Sequence, residues 1–167
     1  SSAPALVYVA DSVARFIQLL DGADGAVDAD GFATVAPQYT TTVGAVAEQI
    51  QVFADSRATL MTERVGTGLV RALYSTSVSY LPVVRFAYPV QQHADPRGVF
   101  VEMLKTPDCG QFSYFTAHPG ITRGGHYHHS KTEKFLVIKG QARFKFRHMQ
   151  TGETHELLTS GSKAEVV

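Results

Sequence analysis

The spacing of apolar residues changes character about halfway along the chain. Residues 6–9 form a short apolar run, and Val13, Phe16, Ile17 and Leu20 follow at helical spacing. A strand and then a helix are predicted, with Asp11 as the helix N-cap. Residues 21–31, rich in Gly, Asp and Ala, are predicted as a surface loop. The threonines at 40–42 can cap a second helix that carries Val43, Val46, Ile50 and Phe53 on one face. A third helix is predicted from about residue 68 to residue 80.

After Leu81 and Pro82 the period becomes two. Val99, Val101 and Met103 alternate with Phe100, Glu102 and Leu104, and residues 112–117 and 134–138 are short apolar runs, so all three segments read as strands. Over residues 141–149, Ala142, Phe144, Phe146 and His148 project to one side and Arg143, Lys145 and Arg147 to the other. One face is expected to meet the core and the other to meet water. Gly140 and the pair Thr151 and Gly152 supply tight turns. Three successive strands are therefore predicted as a meander of hairpins, the texture of a small antiparallel barrel or jelly roll. The change of period places a domain boundary near residues 81–88.

Composition narrows the function. The chain has 167 residues of which 44% are hydrophobic, enough to bury a core in one domain or two small ones. Fifteen Lys and Arg balance fifteen Asp and Glu. The broad basic footprint of a nucleic-acid or anionic-membrane binder is missing, and an anionic ligand has to be held by a few local cations. Cys109 stands alone, which excludes an internal disulfide, and no run approaches the roughly 20 apolar residues of a membrane span. With no signal-peptide pattern at the N-terminus, a soluble cytoplasmic protein is expected. A chain that begins at Ser1 without Met is expected to be a piece of something longer.

The chemistry concentrates in residues 120–140, which fit the pattern G-x5-H-x-H-x4-E-x6-G at every fixed position: Gly120, His126, His128, Glu133 and Gly140. His126 and His128 are two apart on an extended chain, so both imidazoles face one side while Tyr127 and His129 face the other. A short turn can then bring Glu133 beside them at the start of the next strand. Two imidazoles and a carboxylate suit Zn, with Fe, Mn or Ni as alternatives, better than Ca or Mg. An isolated H-x-H is usually a solvated loop; here Glu133, both glycines and the flanking strands favour a metal site.

This pattern resembles the cupin metal-binding motif. Upstream, Asp95, Arg97, Gly98, Phe100 and Glu102 resemble the D-x-R-G-x-F-x-E signature of dTDP-4-keto-sugar 3,5-epimerases, and Arg123, Gly124 and His126 resemble their R-G-x-H segment. The wider run from Lys105 through Phe146 is more similar to the C-terminal cupin domain of CapF-type capsular polysaccharide enzymes. In that family the cupin follows a short-chain dehydrogenase/reductase domain. The N-terminal half agrees: residues 6–13 resemble a segment late in extended dehydrogenase/reductase domains, and Tyr39 with the threonines after it, residues 53–57 and residues 73–82 resemble the reductase-to-cupin junction.

The resemblance implies an α+β fragment. Residues 1–84 would be the C-terminal part of an extended dehydrogenase/reductase domain, and residues 85–167 an all-β jelly-roll cupin truncated at its C-terminus. It implies an enzyme that epimerises a UDP-linked 4-keto-6-deoxy amino sugar beside its carbonyl and reduces the ketone with NADPH, towards UDP-N-acetyl-L-fucosamine. A homodimer is the expected assembly. A G-x-G-x-x-G turn after a strand and a Y-x-x-x-K pair are both missing, so the NADPH site and the reductase's proton donor are expected outside this chain. A second cupin motif with another metal-binding His is expected beyond Val167. The fragment alone is expected to be inactive.

Within this reading His126 matches both the catalytic base of the stand-alone epimerases and the first metal ligand of the cupin motif. A metal-bound imidazole has lost the lone pair a base needs, and His128 and Glu133 complete a chelating set, which favours the ligand role. Arg97 and Arg123 are candidates for the substrate diphosphate, where a planar fork pairs with two oxygens; the alternative is an ordinary surface arginine. Glu102 is a further substrate contact or a solvent-facing charge. Asp95 is expected to cap a turn before Pro96. His118, His129 and Lys131 read as loop or surface residues, and Cys109 as a turn residue with no activating cation. Two other functions fit the same motif: a cupin module that binds a sugar or metal without turnover, and a non-haem-iron dioxygenase using two His and a Glu.

Overall fold

A computed structural model describes residues 3–22 and 27–167. Residues 23–26 of the loop expected at 21–31 lie outside the described residues. The chain divides into two compact units, Ser1–Arg123 and Gly124–Val167.

The first unit opens with strand β1 (Ala5–Val7) and helix α1 (Val9–Leu20). The helix starts earlier than its apolar spacing predicts. Tyr8, extended and without a side-chain cap bond, is the N-cap, and Asp11 lies in the first turn instead. There its charge still faces the positive end of the helix dipole, which explains the acidic residue without a capping role. Strand β2 (Gln38–Thr40) pairs antiparallel with β1, a pairing the apolar pattern does not announce in so short a segment. Helix α2 (Val43–Thr59) begins where expected: Thr42 is its N-cap and Thr42 Oγ1 accepts the Ala45 N–H at 3.1 Å.

Helix α3 (Gly68–Ser79) matches its predicted span closely. Phe53 of α2 meets the ring of Tyr74 edge-on at 5.2 Å between centroids, and Phe53 and Ala72 are both buried. The apolar face predicted for α2 is only partly covered, because Val43 and Ile50 remain exposed.

The rest of the first unit is an antiparallel meander of β3 (Gln92–Asp95), β4 (Gly98–Thr106) and β5 (Gly110–Phe115). Val101, 1% exposed, is its core residue. The predicted alternation fails at Met103, which is exposed, because the β4–β5 register shifts between Glu102 and Leu104. An extra residue at a bulge turns the following side chains to the other face.

Beyond that shift β4 finds another partner. Lys105 N–H donates to the Leu60 carbonyl at 2.7 Å, and Thr62 N–H donates to the Lys105 carbonyl at 2.8 Å. An Arg64–Asp108 ion pair reinforces the same join, which ties the helices to the sheet.

The second unit contains the hairpin of β6 (Gln141–Arg147) and β7 (Thr154–Ser160), paired in register from Gln141 opposite Ser160 to Arg147 opposite Thr154. The strand predicted at 134–138 is not formed. In its place Leu136 makes an isolated bridge to Val166, and Phe135 and Val167 exchange two backbone hydrogen bonds of 2.8 and 2.9 Å. A ladder that short fixes one pair of residues and leaves the rest of the apolar run irregular. The predicted strand at 141–149 ends at Arg147, because His148 enters the turn, where its Nδ1 accepts the Thr151 N–H at 3.1 Å. Among the described residues of this unit, Thr159 is the buried one.

Candidate functional site

Residues 126–128 carry no regular secondary structure, in contrast to the extended strand expected there. Their side chains nevertheless sort by alternation. The rings of His126 and His128 lie edge-on with centroids 5.0 Å apart, and those of Tyr127 and His129 form a second pair at 5.1 Å. Alternation along a locally extended backbone is enough to produce these two groups without a neighbouring strand.

Glu133 joins the first group. One ligand atom from each of His126, His128 and Glu133 lies within 4.8 Å of the others, and His128 Nε2 is 3.7 Å from Glu133 Oε1. Ligands bound at about 2.1 Å to a tetrahedral zinc stand about 3.4 Å apart, so small side-chain rotations bring this set to coordination distance. The donor set fits zinc: two borderline nitrogens and one carboxylate oxygen, all accessible from solvent.

The first unit carries a different cluster, built on the turn between β3 and β4. Asp95 and Gly98 are opposite each other in the ladder, leaving Pro96 and Arg97 as the two turn residues. Asp95 Oδ1 accepts the Arg97 backbone N–H at 2.7 Å, the turn-capping role expected of it. Asp95 Oδ2 accepts from Arg97 Nε at 3.0 Å and from Arg97 Nη2 at 2.6 Å.

Gly98 is required next. Its φ is 140°, and a Cβ there would fall on the carbonyl of Thr116. That closeness lets Thr116 N–H reach the Val99 carbonyl at 2.8 Å and His118 N–H reach the Arg97 carbonyl at 3.1 Å. The chain leaving β5 is thereby laid against the turn.

Arg123 arrives on that chain. Its Nη2 is 3.7 Å from Asp95 Oδ1, and its guanidinium lies over the ring of Phe115, 5.3 Å from the centroid. Its Nε is buried with no hydrogen-bond partner among the described residues. Hydrogen bonds from the Arg97 side chain and backbone, with the charges of both arginines, hold the Asp95 carboxyl down at about 2, and the Arg97 guanidinium is shifted up by the same carboxylate.

Arg97 and Arg123 therefore share one carboxylate, which the residue pattern does not reveal. The signal for half of it was present: Asp and Arg two apart around a proline suit a hairpin turn closed by an Asp side chain. Phe115 and the approach of Arg123 depend on packing. Glu102 lies apart from that carboxylate in bonding, its Oε1 3.0 Å from Lys105 Nζ. Cys109 sits in the β4–β5 turn with its N–H donated to Thr106 Oγ1, and it is exposed. Among the described residues no helix is long and apolar enough to cross a membrane.

Residues 93–167 match the family described as the polysaccharide biosynthesis C-terminal domain. Over 163 residues the chain is 60% identical to the UDP-2-acetamido-2,6-beta-L-arabino-hexul-4-ose reductase of Pseudomonas aeruginosa, covering 97% of this chain and 43% of that protein. It also superposes on the crystal structure of CapF with the inhibitor 3-isopropenyl-tropolone, with a TM-score of 0.89 and 39% identity over 98% of this chain and 46% of that one. The capsular polysaccharide assembling protein CapF of Staphylococcus aureus gives a TM-score of 0.86 at 39% identity, over 98% of this chain and 44% of its own. Over nearly its whole length the chain is a homologue of part of the CapF-type proteins, as its motifs indicated. It spans less than half the length of these relatives.

Proposed function

We propose that this chain is part of a nucleotide-sugar-modifying enzyme of capsule or O-antigen biosynthesis, with a UDP-linked 4-keto-6-deoxy amino sugar as substrate. Residues 1–84 are the end of the reductase domain and residues 85–167 the first part of a cupin that epimerises the sugar beside its carbonyl. Reduction with NADPH, towards UDP-N-acetyl-L-fucosamine, takes place on a domain outside this chain. The observation that carries this reading is the 60% identity, across nearly the whole chain, to a protein named as a UDP-keto-sugar reductase.

The chain's own residues support two parts of that chemistry. His126, His128 and Glu133 would hold the metal, for which zinc fits the donor set. When bound, such an ion supplies Lewis-acid stabilisation of charge on a carbonyl oxygen. The pairing of His126 with His128 supports His126 as a ligand and leaves the proton-abstracting base to another group. Arg97 and Arg123 are the cations for the diphosphate, a charge-assisted contact that orients a substrate without taking part in bond changes.

A chimera tests this reading: this chain replaces the matching segment of the Pseudomonas reductase, and the hybrid is given a 4-keto sugar nucleotide and NADPH in deuterated water. Deuterium next to the carbonyl and oxidation of NADPH are expected. A folded hybrid with neither would overturn the proposal. Deuterium-free oxidation of NADPH would remove the epimerase part alone.

A further inference from the structure

The two arginines of the first unit are not equivalent, and the difference gives Asp95 a role beyond its turn. Arg97 presents its Nε and Nη2 edge, the edge that would grip two oxygens of a phosphate, to Asp95 Oδ2 at 3.0 and 2.6 Å. That edge is occupied. Arg123 turns its Nε into the protein, makes one loose contact of 3.7 Å from Nη2 to Asp95 Oδ1, and has a ring beneath its plane. Its side chain is 21% exposed, against 58% for Arg97. A shielded guanidinium whose Nη2 is only loosely held is the better anion contact, because its charge is less screened and fewer of its rotamers remain to be frozen.

We infer that Asp95 is a positioning residue: pinned by the Arg97 backbone, it clamps Arg97 and aims Arg123, whose loosely held guanidinium takes the diphosphate. Asp95 is held at three points by a residue two positions away, so it cannot swing clear without opening the β3–β4 turn. This distinguishes a positioning carboxylate from one that occupies the anion's place and leaves when the anion arrives. Phe115 completes the arrangement by fixing the plane of the Arg123 guanidinium from below. The inference rests on the reading that these arginines face an anion, and it adds which of them binds and what holds it in place.

Inorganic pyrophosphate, titrated calorimetrically into the full chain, is the probe. Saturable binding is expected, and Arg123→Gln should weaken it by about 10-fold or more, the loss of one charge-assisted contact. Arg97→Gln should weaken it less. Asp95→Asn keeps an oxygen for the Arg97 N–H but loses the charge, and about a 3- to 10-fold weakening is expected from lost preorganisation. In the Arg123→Gln background the same change should have no further effect, whereas a role confined to folding would add in full.

Should the Asn variant melt early, Asp95→Ser offers the turn the same acceptor and completes the cycle. If pyrophosphate does not bind, or Arg123→Gln binds it as well as the unsubstituted chain, the anion reading falls and this inference with it. If Arg123→Gln binds poorly while Asp95→Asn binds equally or more tightly, the anion reading stands and Asp95 is a bystander or a competitor. A larger loss from Arg97→Gln than from Arg123→Gln would also overturn the assignment.

Discussion

The cluster on the first unit and the cluster on the second are assembled in opposite ways. Asp95, Arg97 and Arg123 carry charges of both signs, sit on a hairpin turn, and are fixed by backbone and side-chain hydrogen bonds. His126, His128 and Glu133 are three electron-pair donors on irregular chain, brought together by alternation and one turn. The first group keeps its turn geometry without a ligand, with one positive charge left over from two guanidiniums and one carboxylate. The second, as the proposed metal site, would gain its full stabilisation only when a cation binds, because three lone-pair donors crowded together repel until something positive is shared among them.

The surroundings differ in the same sense. Phe53, Ala72 and Val101 are buried in the first unit, while the buried residue of the second is the polar Thr159, whose Oγ1 has no partner among the described residues. If that segment holds an ion as proposed, so little packing around it means that it should draw order from the ion.

The largest effect expected from this contrast is on metal retention. His128→Ala should lower zinc affinity by on the order of 100-fold, since two remaining ligands cannot close a tetrahedral site, whereas His129→Ala, on the opposite side with Tyr127, should leave it unchanged. Zinc content after dialysis against a mild chelator reads both. A His129 variant that lost zinc while the His128 variant kept it would show that the alternation places the wrong faces inward. Zinc should also slow amide exchange in β6 and β7 of the unsubstituted chain and have no such effect in the His128 variant.

Next in size is Gly98→Ala. It combines a backbone conformation that an L side chain strains to adopt with a Cβ on the Thr116 carbonyl, at a cost of about 3 kcal/mol. Urea unfolding followed through exchange of the β4 amides measures it. A loss under about 1 kcal/mol would mean that the turn and the chain after β5 are not held together as described.

Thr42→Ala removes the side-chain cap of α2 and should cost about 1 kcal/mol, read as a shift in the denaturation midpoint of the helical signal. Asp11→Ala at the start of α1 should cost less, because that side chain offers the helix a charge rather than a capping bond. Equal losses at the two positions would mean that Asp11 caps α1 after all.

The smallest effect is a pH dependence. The folded Asp95 carboxyl titrates at about 2, below the ordinary carboxylate range, so its contribution is complete above an unfolded value of about 4 and is lost as pH falls towards 2. The stability difference between the unsubstituted chain and Asp95→Asn should therefore be flat above about pH 5 and shrink across that window. Because the pair is exposed, the change is expected to be slight, and a difference that grew on acidification would contradict the ion pair.

Residue pattern alone determined a good deal of this protein. Helical spacing with a threonine ahead of it located α2 and its cap, because capping is a contact between neighbours in sequence. Period-two spacing located β4 and β6, a short apolar run located β5, and the two-residue interval between His126 and His128 set their common side before any strand was needed. The motif resemblances located the relatives, since a motif is local by construction.

What only the tertiary structure decided is everything that depends on where one backbone meets another. The bulge that exposes Met103, the switch of β4 to residues 60–62, and the reduction of the 134–138 strand to one bridge are each set by the partner available, not by the segment's own side chains. Asp95 between Arg97 and Arg123 belongs to the same class. The Asp95–Arg97 half spans two residues and was within reach of pattern reading. The Arg123 half closes a loop from 95 to 123 by laying the chain after β5 against Gly98, and no local propensity encodes that approach.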